Sequence, residues 1–387
     1  MPFTAAESPL VQAARELKPR IAAAGNEIER ARQLPPEVVD AMRSAGLFHL
    51  TVPHELGGQQ ADPVTLGTVI EEIASADGSA GWCVMIASQN AAFSGFADRT
   101  AGETIFGDGG IMAGVARPIG RAVPNGDGSF TVSGRWPFAS GSSHARYFAA
   151  ECLVYDDRSV PRKNENGDNV SYLALVPREQ VIIHDTWDTI GLRGTASHDF
   201  SIDGAHVSEP FMMKMFPEPW HPWTFYRTLA LMFITHGAHA LGIARAVLET
   251  TSGIAREKIG YGSDKSIAHQ ARTQHVTADA FVTVAAAREH LYGAAGRLWD
   301  AAERGDDLGN LNARVRLATS YAATSSLRAV ELLYASMATS AIFTKSPLDR
   351  QFRDMRTAAA HVMVGPLTYE AAGRVELGLP AGMAFFD

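Results

Sequence analysis

A chain of 387 residues is long enough to bury a large core and to divide into two or three domains. Apolar residues make up 46 % and charged residues 20 %, a balance that excludes a disordered or fibrous chain. Thirty-four Lys and Arg against 42 Asp and Glu leave a net charge of −8, so the electrostatic basis for binding nucleic acid or an anionic lipid surface is missing.

The two cysteines, Cys83 and Cys152, lack the CxxC or Cys/His spacing of a zinc site and suit a reducing compartment. The first twenty residues have no apolar stretch behind a basic start, and no later stretch approaches the roughly 20 apolar residues of a bilayer span. A cytoplasmic protein is expected.

Residues 8–97 carry helical periodicity in several short runs, among them VQAARELKPRIAAAGNEIERARQ, PPEVVDAMRSAG and DPVTLGTVIEEIASAD, with Pro near starts and Gly near ends. Between residues 111 and 210 the period changes to two, in SFTVSGRWPF, YFAAECLVY, SYLALVP and HDFSIDGAHV, separated by turns such as NGDGS. Long amphipathic runs follow around 224–258, 266–303, 308–340 and 348–377, which predict a four-helix bundle. The expected organisation is a helical domain at 1–110, a β domain at 111–215 and a bundle at 216–387, an α+β order that matches neither a Rossmann nor a TIM pattern.

GxGxxG, P-loop, HExxH and GxSxG signatures are all absent, which removes support for nicotinamide binding, phosphoryl transfer, zinc hydrolysis and α/β-hydrolase chemistry. His236 and His239 have helical i, i+3 spacing without the companion Glu of a metal site, so they read as packing or capping residues. Three clusters could carry chemistry. GRWPFASGSSHARYF, residues 134–148, sets Trp136 and Phe138 on one strand face beside Ser140 and Gly141, a ledge for a flat ring with polar edges; an aromatic strand ending in a polar turn is the plainer reading. A second, residues 186–207, gathers Arg193, Thr195 and Ser197 in a Gly-punctuated turn suited to a phosphate or a ring edge. In the third, RQFRDMRTAAAHV, Asp354 and His361 lie seven residues apart on roughly one helix face, with three alanines leaving space around the imidazole.

These clusters, in this order, resemble the acyl-CoA dehydrogenase superfamily over nearly the whole chain, residues 16–379. GRWPFASGSSHA resembles the GRWxFxSGxxHA strand of two-component flavin-dependent monooxygenases related to hydroxyphenylacetate, hydroxysteroid-phenol and dibenzothiophene oxygenases. GLRGTASHDF resembles their GxRGTGS turn, and FRDMRTAAAHV their RDxxxxxxH helix. The resemblance implies the acyl-CoA dehydrogenase fold, with an N-terminal helical domain, a β-barrel-like middle domain and a C-terminal four-helix bundle, assembled as a homotetramer. It implies reduced FMN or FAD delivered by a separate NAD(P)H:flavin reductase, reaction with O2 at flavin C4a, and oxygen transfer to an aromatic or polycyclic small molecule.

By the same resemblance Ser140 hydrogen-bonds near flavin N5, while Trp136, Phe138 and Gly141 line the ring. Arg193, Thr195 and Ser197 hold its polar edge or ribityl chain, and Gln270 contributes from a neighbouring subunit. His361 serves as acid, base or hydrogen-bond donor where true dehydrogenases carry a catalytic Glu. The sequence departs from phenol hydroxylases at Asn90, eight residues after Trp82, where they carry His, and at Val115, Ala116 and Arg117, where they often show a Ser before Pro. Trp82, Asn90 and Arg117 are therefore the candidate substrate residues. Two other readings are a dehydrogenase or oxidase on the same fold, and a non-catalytic flavin-fold subunit.

Overall fold

Pro9, Pro36 and Pro63 each begin a helix, where a missing N–H costs no intrahelical hydrogen bond. The computed structural model describes residues 8–156, 159–215 and 217–386. Its N-terminal part contains α1 (Pro9–Ala31), α2 (Pro36–Ser44), α3 (Pro63–Ala76), α4 (Gly78–Ala91) and α5 (Arg99–Phe106). Asp62 and Asp77 cap α3 and α4 through backbone amides of Val64, Thr65 and Ala80 at 2.9–3.0 Å. The two helices are buried on nearly every face and form the floor on which the site is built.

The period-two region forms one sheet from β1 (Met112–Pro124), β2 (Phe130–Ala139), β3 (Tyr147–Val154), β4 (Ser171–Pro177), β5 (Ile182–His184), β6 (His198–Val207) and β7 (Met212–Lys214). The order is β5-β6-β2-β1-β3-β4-β7, with β1 and β3 parallel and the other pairs antiparallel. Among the described residues, the edge strands β5 and β7 are not paired with each other, so the expected barrel-like domain is an open sheet in its hydrogen bonding. It holds a core of its own around Trp136, Phe148 and Phe200. Gly120 is required here, because a Cβ would stand 2.0 Å from the Trp136 ring.

The C-terminal part comprises α6 (Thr224–Arg227), α7 (Ile234–Glu257), α8 (Ala271–Arg304), α9 (Leu311–Ser336), α10 (Pro347–Ala358) and α11 (Pro366–Glu376). Two of the expected long runs are interrupted. The first begins as a short helix and a 3-10 turn before α7, and the fourth breaks after Ala358 and resumes at Pro366, which opens α11. His361 consequently lies beyond α10, at the cap of a 3-10 turn, and not on one continuous helix with Asp354.

By length and composition residues 229–257 could cross a membrane, contrary to the sequence expectation, but most of this segment is buried within the structure. Buried Glu71 and Glu72 of α3 tie it to the bundle and to α1. Glu72 meets Arg15, Lys18 and Arg245, while Glu71 meets Arg245, Arg288 and the Tyr292 hydroxyl. Breaking such a buried pair on one side costs about 3–5 kcal/mol, so the network fixes how α3 sits against α7 and α8.

Candidate active site

Trp82, one turn into α4, is the centre of a buried aromatic cluster. Its indole meets His236 and His239 of α7 and His361 edge-on, with ring centroids 5.6, 5.2 and 5.5 Å away. His236 and His361 stack on each other at 4.6 Å. The i, i+3 spacing of His236 and His239 thus serves to present two rings to one indole.

All three imidazoles are held neutral. Burial lowers His361 to about 4, with help from the Arg316 cation, and burial lowers His239 to about 4. Burial, reinforced by His361, Arg316 and His239, drives His236 well below the ordinary value. His361 Nδ1 accepts from the Met363 amide at 3.3 Å, which leaves Nε2 as the protonated nitrogen. His239 Nε2 donates to the Gly78 carbonyl at 2.8 Å, leaving a buried Nδ1 without a partner among the described residues.

The second wall is a chain of hydroxyls. Trp82 Nε1 donates to Ser140 Oγ at 3.0 Å, Ser140 meets Ser197 at 2.7 Å, Ser197 meets Thr195 at 2.7 Å, and Thr195 reaches the Leu192 carbonyl at 2.9 Å. A carbonyl can only accept, so the Thr195 proton goes to Leu192, the Ser197 proton to Thr195 and the Ser140 proton to Ser197. Ser140 is left with one free lone pair, as an acceptor.

The turn that carries these hydroxyls is strained. Leu192 and Ala196 adopt left-handed φ values of 51° and 45° on either side of the 3-10 turn Arg193–Thr195, at a cost of about 1–3 kcal/mol per residue. It is pinned by Gly141 N donating to the Thr195 carbonyl at 2.8 Å, Ser142 Oγ donating to the Ala196 carbonyl at 2.6 Å, and Leu192 N donating to Asp354 Oδ1 at 2.6 Å. Asp354 is buried against Gly78, where a Cβ would stand 2.9 Å from its Oδ2. Burial and the neighbouring Asp77 raise Asp354 to about 8, so it holds a proton at neutral pH.

The structure brings Trp82, Ser140, Gly141, Thr195, Ser197 and His361 into this one assembly. Arg193 lies on the outer side of the turn, held by Asp188 at 2.8 Å and the Thr189 carbonyl at 2.7 Å. Four expectations are corrected or displaced. Trp136 is fully buried in the sheet core, stacked on Phe200 at 5.1 Å with Nε1 donating to the Glu151 carbonyl, so no face is left for a cofactor ring. Phe138, by contrast, is 66 % exposed. Asn90 spends an amide N–H on the Met112 carbonyl at 3.3 Å, and Arg117 is exposed in the irregular stretch of β1 between Val115 and Gly120. Gln270 is exposed at the far tip of the bundle, between α7 and α8. Sequence reasoning missed His236 and His239 as part of the site, and Arg316 altogether.

The neutral histidines give a pH prediction. Their folded values lie below the ordinary 6.5, so the unfolded chain takes up protons first on acidification; stability is full above 6.5 and declines as pH falls toward about 4. Nitrogen-15 NMR of the ring nitrogens is expected to show His361 neutral, with Nε2 alone protonated, down to about pH 5. A His361 titration centred near 6.5 would contradict the burial argument.

Comparison with known proteins agrees with this geometry. The family models for the acyl-CoA dehydrogenase N-terminal and C-terminal domains match residues 5–98 and 234–366. An indole-3-acetate monooxygenase from Pseudomonas putida is 31 % identical over 363 residues, covering 91 % of this chain and 89 % of that protein. The chain belongs to the acyl-CoA dehydrogenase family, in its flavin-dependent monooxygenase branch. Solved structures share the fold. XiaF from Streptomyces sp., solved with FADH2 and glycerol, superposes with a TM-score of 0.87 at 24 % identity, covering 97 % of this chain and 96 % of that one. TdsC from Paenibacillus sp. A11-2, solved with FMN and indole, gives 0.83 at 23 % identity over 98 % and 99 % of the two chains. This monooxygenase therefore places its Trp82 and His361 cluster at the junction of all three parts of the family fold.

Proposed function

We propose that this flavin-dependent monooxygenase is the oxygenase component of a two-component system. A separate NAD(P)H:flavin reductase supplies reduced FMN or FAD, and the protein uses it with O2 to hydroxylate an aromatic small molecule in the cytoplasm. The observation that carries the reading is the polarised hydroxyl chain ending at Ser140, with the imidazole of His361 across the same indole.

The residues present fit a reduced flavin. Its ring carries N–H donors, and Ser140 offers an acceptor lone pair fixed in direction by Trp82 and Ser197. Gly141, Thr195 and Ser197 would hold the ring's polar edge, and Phe138 would lie beside it. When bound, the reduced flavin supplies the electrons that activate dioxygen.

The chain's own residues then have three tasks. The apolar walls of Trp82 and neutral His236 and His239 exclude water and receive a flat substrate ring. His361, neutral with Nε2 protonated, can donate a hydrogen bond from Nε2 without placing a cation in the pocket. The strained Leu192–Ala196 turn keeps the hydroxyls in place before anything binds. A dehydrogenase reading lacks its base here: Asp354, the buried carboxyl nearest the turn, holds a proton and is committed to the Leu192 amide. Gln270, distant within one chain, would reach a site only across subunits, as in a homotetramer.

Oxygen-18 gas supplies the test. Protein given reduced FMN or FAD from an NAD(P)H:flavin reductase is expected to place one labelled oxygen atom in an aromatic product, read by mass spectrometry. Oxidation of the flavin with no labelled product from any of a panel of indoles, phenols and aryl acids would sink the reading.

A further inference from the structure

Arg316 on α9 is the only Lys or Arg among the described residues that is fully buried, at 0 % exposure. Its guanidinium lies 3.8 Å from the Phe233 ring and 5.0 Å from that of Phe386. Nη2 makes only long contacts of 3.5 Å to the carbonyl and sulfur of Met363, while Nε and Nη1 have no hydrogen-bond partner among the described residues. No described carboxylate pairs with it, whereas the buried carboxylates Glu71 and Glu72 of α3 each meet an Arg side chain. Burial lowers Arg316 only to about 10, so it remains charged at neutral pH. An unpaired buried cation with open donors costs several kcal/mol, and a partner from outside the chain would recover that cost.

The position says what kind of partner. Met363, whose carbonyl meets Arg316, gives its amide to His361, so the guanidinium stands directly behind the imidazole that faces Trp82. We infer that Arg316 anchors the carboxylate of an aromatic acid substrate, whose ring lies against the Trp82 and His361 walls and whose acid group accepts from the unfilled guanidinium N–H groups. The chemistry favours a monoanion, since one cation in an aromatic box balances one charge and the neutral histidines supply none. Phe386 sits in the segment after α11, outside any helix or strand, and its ring closes one side of the box around the guanidinium. This inference rests on the monooxygenase reading of the same pocket and adds its substrate class.

Equilibrium calorimetry on the full chain with FMN present tests it through two matched pairs, indole-3-acetate against indole-3-acetamide and phenylacetate against phenylacetamide. The wild type is expected to bind an acid roughly tenfold or more tightly than its amide. Arg316→Met, which fills the same space without charge, is expected to abolish that preference while keeping the amide and FMN affinities. Arg316→Lys keeps the charge with fewer donors, and a partial loss of acid affinity supports the site. A preference that survives in Arg316→Met, unchanged acid affinity in Arg316→Lys, or a wild type that prefers neither acid overturns it. Labelled product formed from neutral aromatics alone would defeat only the Arg316 anchor, whereas failure to label any product would defeat the monooxygenase reading itself.

Discussion

Ser140→Ala is expected to uncouple the enzyme: reduced flavin is still consumed in the presence of O2, but product formed per flavin oxidised falls by roughly 100-fold, the scale set by losing one preorganised polar contact in a dry site. The reason lies in the polarised chain. Ser140 receives the Trp82 indole N–H and passes its own proton to Ser197, so its oxygen keeps one lone pair free to accept. Truncation removes that acceptor and orphans the Trp82 donor, at about 1–3 kcal/mol for a buried group left unpaired. Ser197→Ala provides the internal comparison. It leaves the Ser140 oxygen in place but frees its proton to swing toward the pocket, so an intermediate loss is expected. Hydrogen peroxide yield and product yield, measured together for both variants, decide the point. Wild-type coupling in Ser140→Ala would show that the hydroxyl chain is structural only.

Much of this architecture is legible in the sequence because local chemistry and tertiary structure agree. Proline at helix starts and the change of period at residue 111 both survive into the fold. The GxRGT turn and the Ser140 strand are equally visible, since both need particular residues in a short run.

What fails does so for definable reasons. Trp136 and Phe138, two apart, predict one shared face, yet one is fully buried and the other 66 % exposed. The left-handed φ of 67° at Phe138 and the register shift between Trp136 and Ala139 break the alternation on which the expectation rests. The Asp354 and His361 spacing fails because the helix stops between them, which moves the imidazole onto Trp82 while Asp354 turns to Leu192. His236 and His239 show only a helical spacing that reads as packing or capping, and Arg316 leaves no local signal. Their role depends on α7 and α9 packing against α4 and the His361 turn, a long-range arrangement that no spacing rule encodes.

The largest structural effect is expected at Asp354, where two substitutions should part sharply. Asp354→Asn keeps an oxygen for the Leu192 amide and resembles the protonated carboxyl of the folded protein, so flavin affinity should change little and stability near neutral pH should rise. Asp354→Ala leaves that amide buried without an acceptor, about 1–3 kcal/mol of lost stability, and lets the left-handed Leu192 relax out of the geometry that holds the hydroxyl chain. The pH dependence separates the two explanations. The folded carboxyl titrates at about 8 against an ordinary 3.8, so the native state holds a proton that the unfolded chain has released, and its stabilising contribution fades as pH rises from the lower value through the higher. Asparagine has no proton to lose. Denaturation midpoints of wild type and Asp354→Asn should therefore diverge as pH is raised across that window, with the variant gaining relative to the wild type. Parallel curves would mean that Asp354 is ionised beside Asp77, and that the Leu192 turn is held by a charge and not by a shared proton.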